Sequence, residues 1–373
     1  MPRKLSDRNA FTKFFLDKHI EVWNIIVMER ENFVKIISQT PKAEIHLHLE
    51  DFAAEKCADV NGLSEFLDAY RSAIYSIRSL EDFAIVFHNL VRYMNQNGIV
   101  YAEVFFSPTR YMQRGWEYGE MIKFLEYQIL LIKKHEGLVI KLIVDVSRSH
   151  GVESAEAVLD KVIQHRSKSV IGIGLGGDEK AGPARNFVNI FAKAREHGLR
   201  TVAHAGEDDG YISVVDAVEL LKAERIGHGI AACEDDATMK LLVEKQIPME
   251  IALTSNITTG KFAQRIEDHP ITACWNSGAF ITLNTDDPTL FNTSLIDEYW
   301  NLYSKLNYDM GKIFTIIVNG FRASFMEPDK KAAYIRALNR KFSRNMRLYK
   351  RNKKSAQAGW HGSAKDIFGR MEV

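Results

Sequence analysis

Eight short apolar segments recur along this chain, and most of the gaps between them carry a helical pattern. Most of the segments are rich in Val, Ile, Leu and Phe, which is typical of strands buried on both faces. They are Ala43–Leu49, Val100–Ser107, Val139–Ser147, Val170–Leu175, Leu199–His204, Arg225–Gly229, Ile247–Leu253 and Phe280–Asn284. Strands that alternate with helices favour a parallel sheet with crossover connections. Eight of them predict an α/β fold, a closed (β/α)8 TIM barrel, with an open doubly wound sheet as the alternative.

The chain length fits one such barrel with extra N- and C-terminal helices. We interpret the 373 residues as a single domain, with its core at about 41–325 and a basic C-terminal tail at about 340–373. Eight of the fifteen residues from 340 to 354 are Lys or Arg. This stretch is interpreted as a solvated helix and frayed tail, with a nucleic-acid contact as the alternative. The apolar run at 22–28 is too short to span a membrane and predicts a helix packed on the domain.

The charge balance and the spacing of the cysteines limit which partners and which cellular compartment we expect for this chain. Lys plus Arg is 49 and Asp plus Glu is 48, so a net charge of +1 favours neither nucleic acid nor a membrane as a partner. The three cysteines, Cys57, Cys233 and Cys274, are spaced neither as a zinc knuckle nor as a redox pair. We therefore expect a cytoplasmic protein without a disulfide framework. The oligomeric state stays open.

Histidines and a carboxylate stand at the predicted strand ends. His46 and His48 are two residues apart on the first strand, so their side chains point to the same face. His204, His228 and Asp286 end the fifth, sixth and eighth strands. A single His-x-His pair is as often a hydrogen-bonded core pair. Because a barrel gathers its chemistry at the C-terminal ends of its strands, the whole set predicts a metal site.

The predicted site holds one metal ion per chain. Its ligands are assigned as His46, His48, His204 and Asp286. Three imidazoles and one carboxylate suit Zn2+ with an open position for water, although imidazole also suits iron, cobalt and nickel. A water bound there would lose its proton near neutral pH and act as the nucleophile.

Three further residues are candidates for catalysis or substrate binding. Glu207 lies three residues after His204 and would carry a proton between the water and the substrate, unless it is a helix N-cap or a surface acid. His228 would orient the attacking water, unless it is a fifth ligand or a core histidine. Asp287 is assigned to the substrate rather than to the metal, with orientation of His228 as the alternative.

The motifs of this chain, in their order, resemble those of the adenosine deaminase family of metal-dependent hydrolases. The similarity extends from about Pro41 to Phe291. The motifs are Pro41-Lys42-Ala43-Glu44-Ile45-His46-Leu47-His48-Leu49, Gly172-Ile173-Gly174-Leu175-Gly176-Gly177-Asp178-Glu179, His204-Ala205-Gly206-Glu207, Arg225-Ile226-Gly227-His228-Gly229, Ser255-Asn256 and Asn284-Thr285-Asp286-Asp287-Pro288.

The resemblance implies zinc-dependent hydrolysis that removes the 6-amino group of a small purine, with adenosine as the expected substrate and inosine and ammonia as products. Adenine, 6-aminodeoxyfutalosine and methylthioadenosine are alternative substrates. On the matching positions it implies zinc binding by the four ligands above and protonation of purine N1 by Glu207. His228 and Asp287 would act on the attacking water and on N7, and the backbone of Gly177 would contact N3.

The chain departs from the family pattern after the first strand. The family usually has Gly where Asp51 follows Glu50, and the segment from Glu50 to the helix at 62–70 is shorter than usual. We expect Glu50 to bind a ribose hydroxyl. Ala252-Leu253-Thr254 also replaces a Cys-Pro-x sequence. These changes affect substrate choice more than reaction type, and a catalytically impaired nucleoside-binding protein is the remaining alternative.

Two other functions compete with deamination. A G-x-G-x-x-G sequence is formed by Gly172, Gly174 and Gly177. The acidic pair Asp178-Glu179 that follows it would repel a dinucleotide pyrophosphate. A nucleic-acid deaminase of the Cys-containing zinc class is disfavoured because none of the three cysteines fits that signature. Arg148 and His150, just past the third strand, are candidates for substrate specificity or plain loop charges.

Overall fold

The structure is a computed structural model that describes residues 28–54, 62–259 and 261–360. The helix expected at 22–28 lies outside these ranges except for Met28. Cys57 and the last part of the basic tail lie outside them as well. Within the described ranges the chain forms eight strands and fourteen α-helices.

The strands form one parallel sheet in which each strand pairs with the next one along the chain. They are β1 Lys42–His48, β2 Ile99–Phe106, β3 Val139–Asp145, β4 Val170–Leu175, β5 Arg200–Ala205, β6 Arg225–His228, β7 Pro248–Ile251 and β8 Phe280–Leu283. The last strand meets the first through a parallel bridge between Leu47 and Asp286. The predicted barrel is therefore confirmed, and the open doubly wound sheet is excluded because the strand order never reverses.

The helices surround the barrel and occupy the gaps between its strands. They are α1 Arg30–Ser38, α2 Leu63–Ser76, α3 Asp82–Asn97, α4 Thr109–Gln113, α5 Tyr118–Glu136, α6 Gly151–Gln164, α7 Val188–Glu196, α8 Tyr211–Glu219, α9 Asp236–Lys245, α10 Leu253–Thr259, α11 Ile271–Asn276, α12 Leu295–Ser304, α13 Met310–Ala323 and α14 Pro328–Trp360. Apolar side chains of strands and helices pack into one large core.

The join between β8 and β1 is covered by α13, which packs on both strands. At Gly320 the helix backbone approaches β1 so closely that a Cβ atom would lie 2.6 Å from the carbonyl oxygen of Ala43. Only glycine permits this approach. The helix therefore seals the barrel beside the strand that carries His46 and His48.

The basic stretch is helical as far as Trp360. Leu338, Phe342 and Met346 recur at intervals of four residues and are buried, so one stripe of α14 packs on the barrel. Arg340 and Arg344 are exposed on the opposite side. The described part of the tail is therefore a helix with one buried stripe and exposed basic side chains.

The sulfur atoms of Cys233 and Cys274 are in contact, although 41 residues separate them along the chain. The pair is formed by the turn after β6 and the helix α11, so sequence spacing alone contained no sign of it. No described helix combines the length and the apolar character needed to cross a bilayer.

Candidate active site

The residues predicted to bind a metal converge at the C-terminal ends of the strands. Ligand atoms of His46, His204, His228 and Asp286 all lie within 4.8 Å of one another. His48 joins them through Asp286, because its Nε2 lies 3.1 Å from Asp286 Oδ1. Four imidazoles and one carboxylate therefore surround a single point.

Backbone pairing brings Asp286 to the first strand. The N–H of Asp286 donates to the carbonyl of His46, and the N–H of His48 donates to the carbonyl of Asp286, each over 3.2 Å. Asp286 and His228 have left-handed φ angles of 67° and 59°. Such backbone strain in residues other than glycine costs about 1–3 kcal/mol and persists where the surrounding structure enforces it, most often at functional sites.

The predicted ligand atoms fit a cation, and the His228 ring beside them is also left unpaired. His46 Nε2, His204 Nδ1 and His228 Nε2 are buried and have no hydrogen-bond partner among the described residues. Unpaired buried polar atoms are costly, so a set of them around one point indicates a ligand-binding site. Nitrogen and carboxylate donors without a thiolate suit zinc.

The electrostatic environment also favours a positive charge. Burial alone would raise the pKa of Asp286, but the close imidazoles of His46 and His48 outweigh it and hold that pKa well below its usual range. Burial would lower the pKa of His46, but Asp286 and Glu250 raise it to about 9. Burial and the neighbouring histidines keep the pKa of His204 well below its usual value, so this imidazole is neutral, as a ligand must be.

A buried charge network lies beneath the cluster. Glu250 Oε2 is 2.7 Å from His46 Nδ1, and Arg225 Nη1 is 2.5 Å from Glu103 Oε2. Arg225 Nε lies 2.5 Å from the other oxygen of Glu250, which connects the two contacts. The sequence analysis missed these residues. Their signal was a charged side chain inside an otherwise apolar predicted strand.

Glu207 lies beside the cluster on the cavity wall. Its Oε2 is 3.4 Å from His228 Nε2. Burial raises the pKa of Glu207 well above its usual value, and the charges of Asp286 and Glu179 add to this effect. The following helix α8 has Gly210 at its N-cap, so Glu207 is neither a helix cap nor a surface acid.

Glu179 holds the loop that carries Glu207. Its two carboxylate oxygens accept hydrogen bonds from the backbone N–H groups of residues 206–209, over 2.8–2.9 Å. The Ser213 hydroxyl donates to it as well. The motif that includes Glu179 was recognised in the sequence, but this role was not.

A cavity of about 400 Å³ opens over the cluster. Its wall includes Glu207, Asp287 and Gly177. Gly177 has a φ of 97°, and a Cβ there would collide with the Ser149 hydroxyl, so the backbone forms the wall at this point. Burial raises the pKa of Asp287 well above its usual value, with further contributions from Asp286 and Asp51.

Glu50 is placed differently from the expectation. It is fully buried and does not line the cavity; its oxygens accept hydrogen bonds from the Ser107 N–H (2.9 Å) and the Tyr70 hydroxyl (3.1 Å). Tyr70 does line the cavity. Glu50 therefore holds Tyr70 at the cavity wall in this structure, and direct binding of a ribose hydroxyl by Glu50 stays a prediction.

The unusual Asp51 has a structural role. Its carboxylate accepts hydrogen bonds from the backbone N–H groups of Thr289 (2.8 Å) and Leu290 (2.9 Å). It therefore ties the turn after β1 to the loop that follows Asp287. The departure from the family pattern does not disturb the predicted metal ligands.

The two charged residues after β3 have different roles. Arg148 is 2 % exposed and donates to the carbonyl of His204 over 2.5 Å, so it supports a cluster residue and is not a loop charge. His150 lines the cavity. The glycines at 172–177 do not open a helix, since a turn at Ala184–Phe187 comes before α7. This arrangement differs from a dinucleotide-binding site, in which the glycine turn leads directly into a helix.

Comparison with known proteins agrees with this geometry. The sequence model of the adenosine deaminase family matches residues 41–341. An adenine deaminase of Crocosphaera subtropica is 31% identical over 319 residues, covering 79% of this chain and 97% of the relative. An aminodeoxyfutalosine deaminase of Streptomyces coelicolor is 31% identical over 321 residues, covering 79% and 83%. The crystal structure of adenine deaminase from Arthrobacter aurescens superimposes with a TM-score of 0.76 at 25% identity, covering 81% of this chain and 98% of that one.

The chain belongs to the adenosine deaminase family. It is a deaminase-type hydrolase that acts on the C–N bond of a cyclic amidine.

Proposed function

We propose that this chain hydrolyses adenosine to inosine and ammonia at a zinc site formed by His46, His48, His204 and Asp286. The observation that carries the proposal is the convergence of this cluster with Glu207 and Asp287 on one cavity wall. Zinc, when bound, supplies a water of lowered pKa as the nucleophile.

The chain's own carboxyl groups supply the protons. Burial raises the pKa of Glu207, which favours the protonated carboxyl as the donor to purine N1. Burial raises the pKa of Asp287 as well, which favours a carboxyl that donates a hydrogen bond to N7. The backbone of Gly177 lies against N3. Protonation of N1 makes C6 more electrophilic, which favours attack by water. One proton of that water returns to Glu207, and the other leaves with the amino group as ammonia.

The wall of the cavity favours a substrate with a polar group on the purine. Besides the residues near the cluster, it includes Thr109, Ser147, Ser149 and His150. Hydroxyl and imidazole groups on this wall can form hydrogen bonds with the hydroxyl groups of a ribose. A cavity of about 400 Å³ also has room for more than a base.

Adenine is the second candidate substrate. The relatives from Crocosphaera subtropica and Arthrobacter aurescens are adenine deaminases, and each matches most of this chain. The third candidate, 6-aminodeoxyfutalosine, has the same basis in the Streptomyces coelicolor relative.

The experiment is a panel of 6-aminopurines that includes adenosine, adenine, 6-aminodeoxyfutalosine and methylthioadenosine. Turnover is followed by ultraviolet absorbance on zinc-loaded protein of measured metal content. We expect the highest kcat/KM for adenosine. His150→Ala should raise KM for adenosine several-fold and leave KM for adenine unchanged. Zinc-loaded protein without turnover of any of these compounds would refute the proposal, and preference for adenine would replace the substrate.

A further inference from the structure

A chain of three buried polar side chains connects His228 with the loop before α11. Asn256 Nδ2 lies 2.9 Å from His228 Nδ1, and Asn256 Oδ1 lies 3.2 Å from His269 Nε2. The backbone N–H of Ile271 donates to His269 Nδ1 over 3.0 Å. His228, Asn256 and His269 are only 0 %, 1 % and 4 % exposed, so water does not compete for these bonds.

The direction of every hydrogen bond in this chain follows from the one that the Ile271 N–H donates. A backbone N–H can only donate, so His269 Nδ1 accepts and the proton of the neutral ring is on Nε2. Burial lowers the pKa of His269 to about 3, which keeps the ring neutral. His269 Nε2–H then donates to Asn256 Oδ1. The amide nitrogen of Asn256 must therefore face His228 Nδ1 and donate to it.

We propose that Asn256 and His269 are positioning residues that fix His228 in the tautomer with its proton on Nε2. His228 then acts as a hydrogen-bond donor toward the reacting water and does not bind the metal ion. The role of this donor in a reaction rests on the proposed deaminase function. The tautomer of His228 does not depend on that function.

The fixed tautomer separates His228 from the other histidines of the cluster. With Nδ1 accepting a hydrogen bond and Nε2 protonated, His228 has no free lone pair for a metal ion. His46 is the opposite case. Its Nδ1 faces the carboxylate of Glu250 and carries the proton, so its Nε2 lone pair is free to bind metal. This chain of hydrogen bonds from Ile271 through His269 and Asn256 to His228, which we call the relay, therefore makes His48, and not His228, the third imidazole ligand.

The surroundings of His228 Nε2 agree with a donor. Glu207 Oε2 lies 3.4 Å away and Asp286 Oδ2 lies 4.0 Å away, and both are oxygen atoms that accept hydrogen bonds. The His228 Nε2–H, directed between these two oxygens, donates a hydrogen bond to the attacking water, while Glu207 acts on the purine.

The test reads the tautomer directly in the full-length, zinc-loaded protein. Long-range 1H–15N NMR on histidine-labelled protein distinguishes protonated from unprotonated ring nitrogens, and His228→Gln assigns the signal. We expect His228 and His269 to carry their protons on Nε2. A proton on Nδ1 of either ring, or on both nitrogens of His228, would overturn the proposal without any variant.

Asn256→Asp tests the relay, because aspartate has the shape of asparagine but only accepts hydrogen bonds. We expect the His228 proton to move to Nδ1 and kcat to fall on the order of 10²–10³-fold, with KM changed by less than about threefold. His269→Gln, whose amide both donates and accepts, should keep the wild-type tautomer and most of kcat.

Asn319→Asp is the matched control, since the Asn319 side chain is buried and donates only to the carbonyl of Ile281. It should leave the His228 tautomer and KM unchanged. Asn256→Asp with the wild-type tautomer would overturn the relay. Wild-type protein with the expected tautomers but no turnover of any 6-aminopurine would support the relay and refute the proposed function.

Discussion

His46 Nδ1 lies 2.7 Å from Glu250 Oε2, and both side chains are fully buried beside the histidine cluster. A carboxylate only accepts hydrogen bonds, so it keeps the His46 proton on Nδ1 and leaves Nε2 free for a metal ion. The other oxygen of Glu250 contacts Arg225 Nε, which compensates the buried charge. The orientation of a ligand on β1 therefore depends on a carboxylate from β7.

Glu250→Gln should weaken zinc binding by about 10–100-fold, because the ring of His46 loses the acceptor that orients it and increases its basicity. Competition with a chromogenic chelator measures the affinity. Glu103→Gln is the control: Glu103 contacts Arg225 from the other side and does not contact His46. Both variants should lose stability, but only Glu250→Gln should lose zinc affinity. Equal zinc affinities in the two variants would contradict this role.

His46→Ala should abolish binding of one zinc ion per chain, because it removes a buried imidazole from the centre of the cluster. Elemental analysis of purified protein gives the zinc content. The control is His197→Ala, since the His197 ring contacts the carbonyl of Lys193 on α7 and lies outside the cluster. Unchanged zinc content in His46→Ala would count against the ligand set.

Glu207→Gln should retain zinc and lower kcat by at least about 10²-fold, because the amide cannot deliver a proton to N1. Zinc content and steady-state rates on the same preparation separate the two effects. The neighbouring Asp208→Asn is the control; its side chain pairs with Lys180 on the surface. A Glu207→Gln variant with near-normal turnover would remove Glu207 from the mechanism.

His269 should make the protein sensitive to acid. Burial lowers its pKa to about 3, below the unfolded value of 6.5, so the unfolded chain binds the extra proton first as pH falls. The stability contributed by the neutral ring is complete above pH 6.5 and is lost progressively toward pH 3. Between pH 6.5 and 4.5 this amounts to about 2 kcal/mol.

His269→Gln removes this titration. Urea unfolding measures how far the free energy of unfolding falls between pH 6.5 and pH 4.5. We expect this fall to be about 2 kcal/mol smaller in the variant than in the wild type. Equal losses in the two proteins would show that His269 is not held neutral by its surroundings.

Asp51→Gly should destabilise the fold by about 1–3 kcal/mol, because the N–H groups of Thr289 and Leu290 lose their acceptor. Chemical denaturation measures the change. Asp68→Ala, on an exposed face of α2, should change stability by less than about 0.5 kcal/mol. A neutral Asp51→Gly variant would show that the turn after β1 does not need this carboxylate.

Much of the fold was predictable because its signals are local. Each of the eight predicted apolar segments overlaps a strand, and the boundaries differ by only a few residues. The alternation of side chains along β1 places His46 and His48 on one face, and parallel strands bring His204 and Asp286 to the same rim. These conclusions need only strand geometry and chain order.

Other features depended on packing that no local pattern encodes. Glu50 lies next to the first strand in the sequence, yet it is buried and accepts a hydrogen bond from the Tyr70 hydroxyl. The sulfur atoms of Cys233 and Cys274 are in contact, although their spacing in the sequence does not predict a contact. Glu179 holds a loop that begins 27 residues later along the chain.

The sequence by itself determined the barrel and placed the predicted ligand residues and Glu207 at its rim, because strand periodicity and the C-terminal ends of barrel strands restrict where such side chains can lie. The tertiary structure alone decided the function of Glu250 and the relay from Ile271 through His269 and Asn256 to His228. The physical reason is that a hydrogen bond requires two atoms about 3 Å apart in a specific orientation. That distance is set by the register and packing of elements far apart in the chain, and not by the composition of either one.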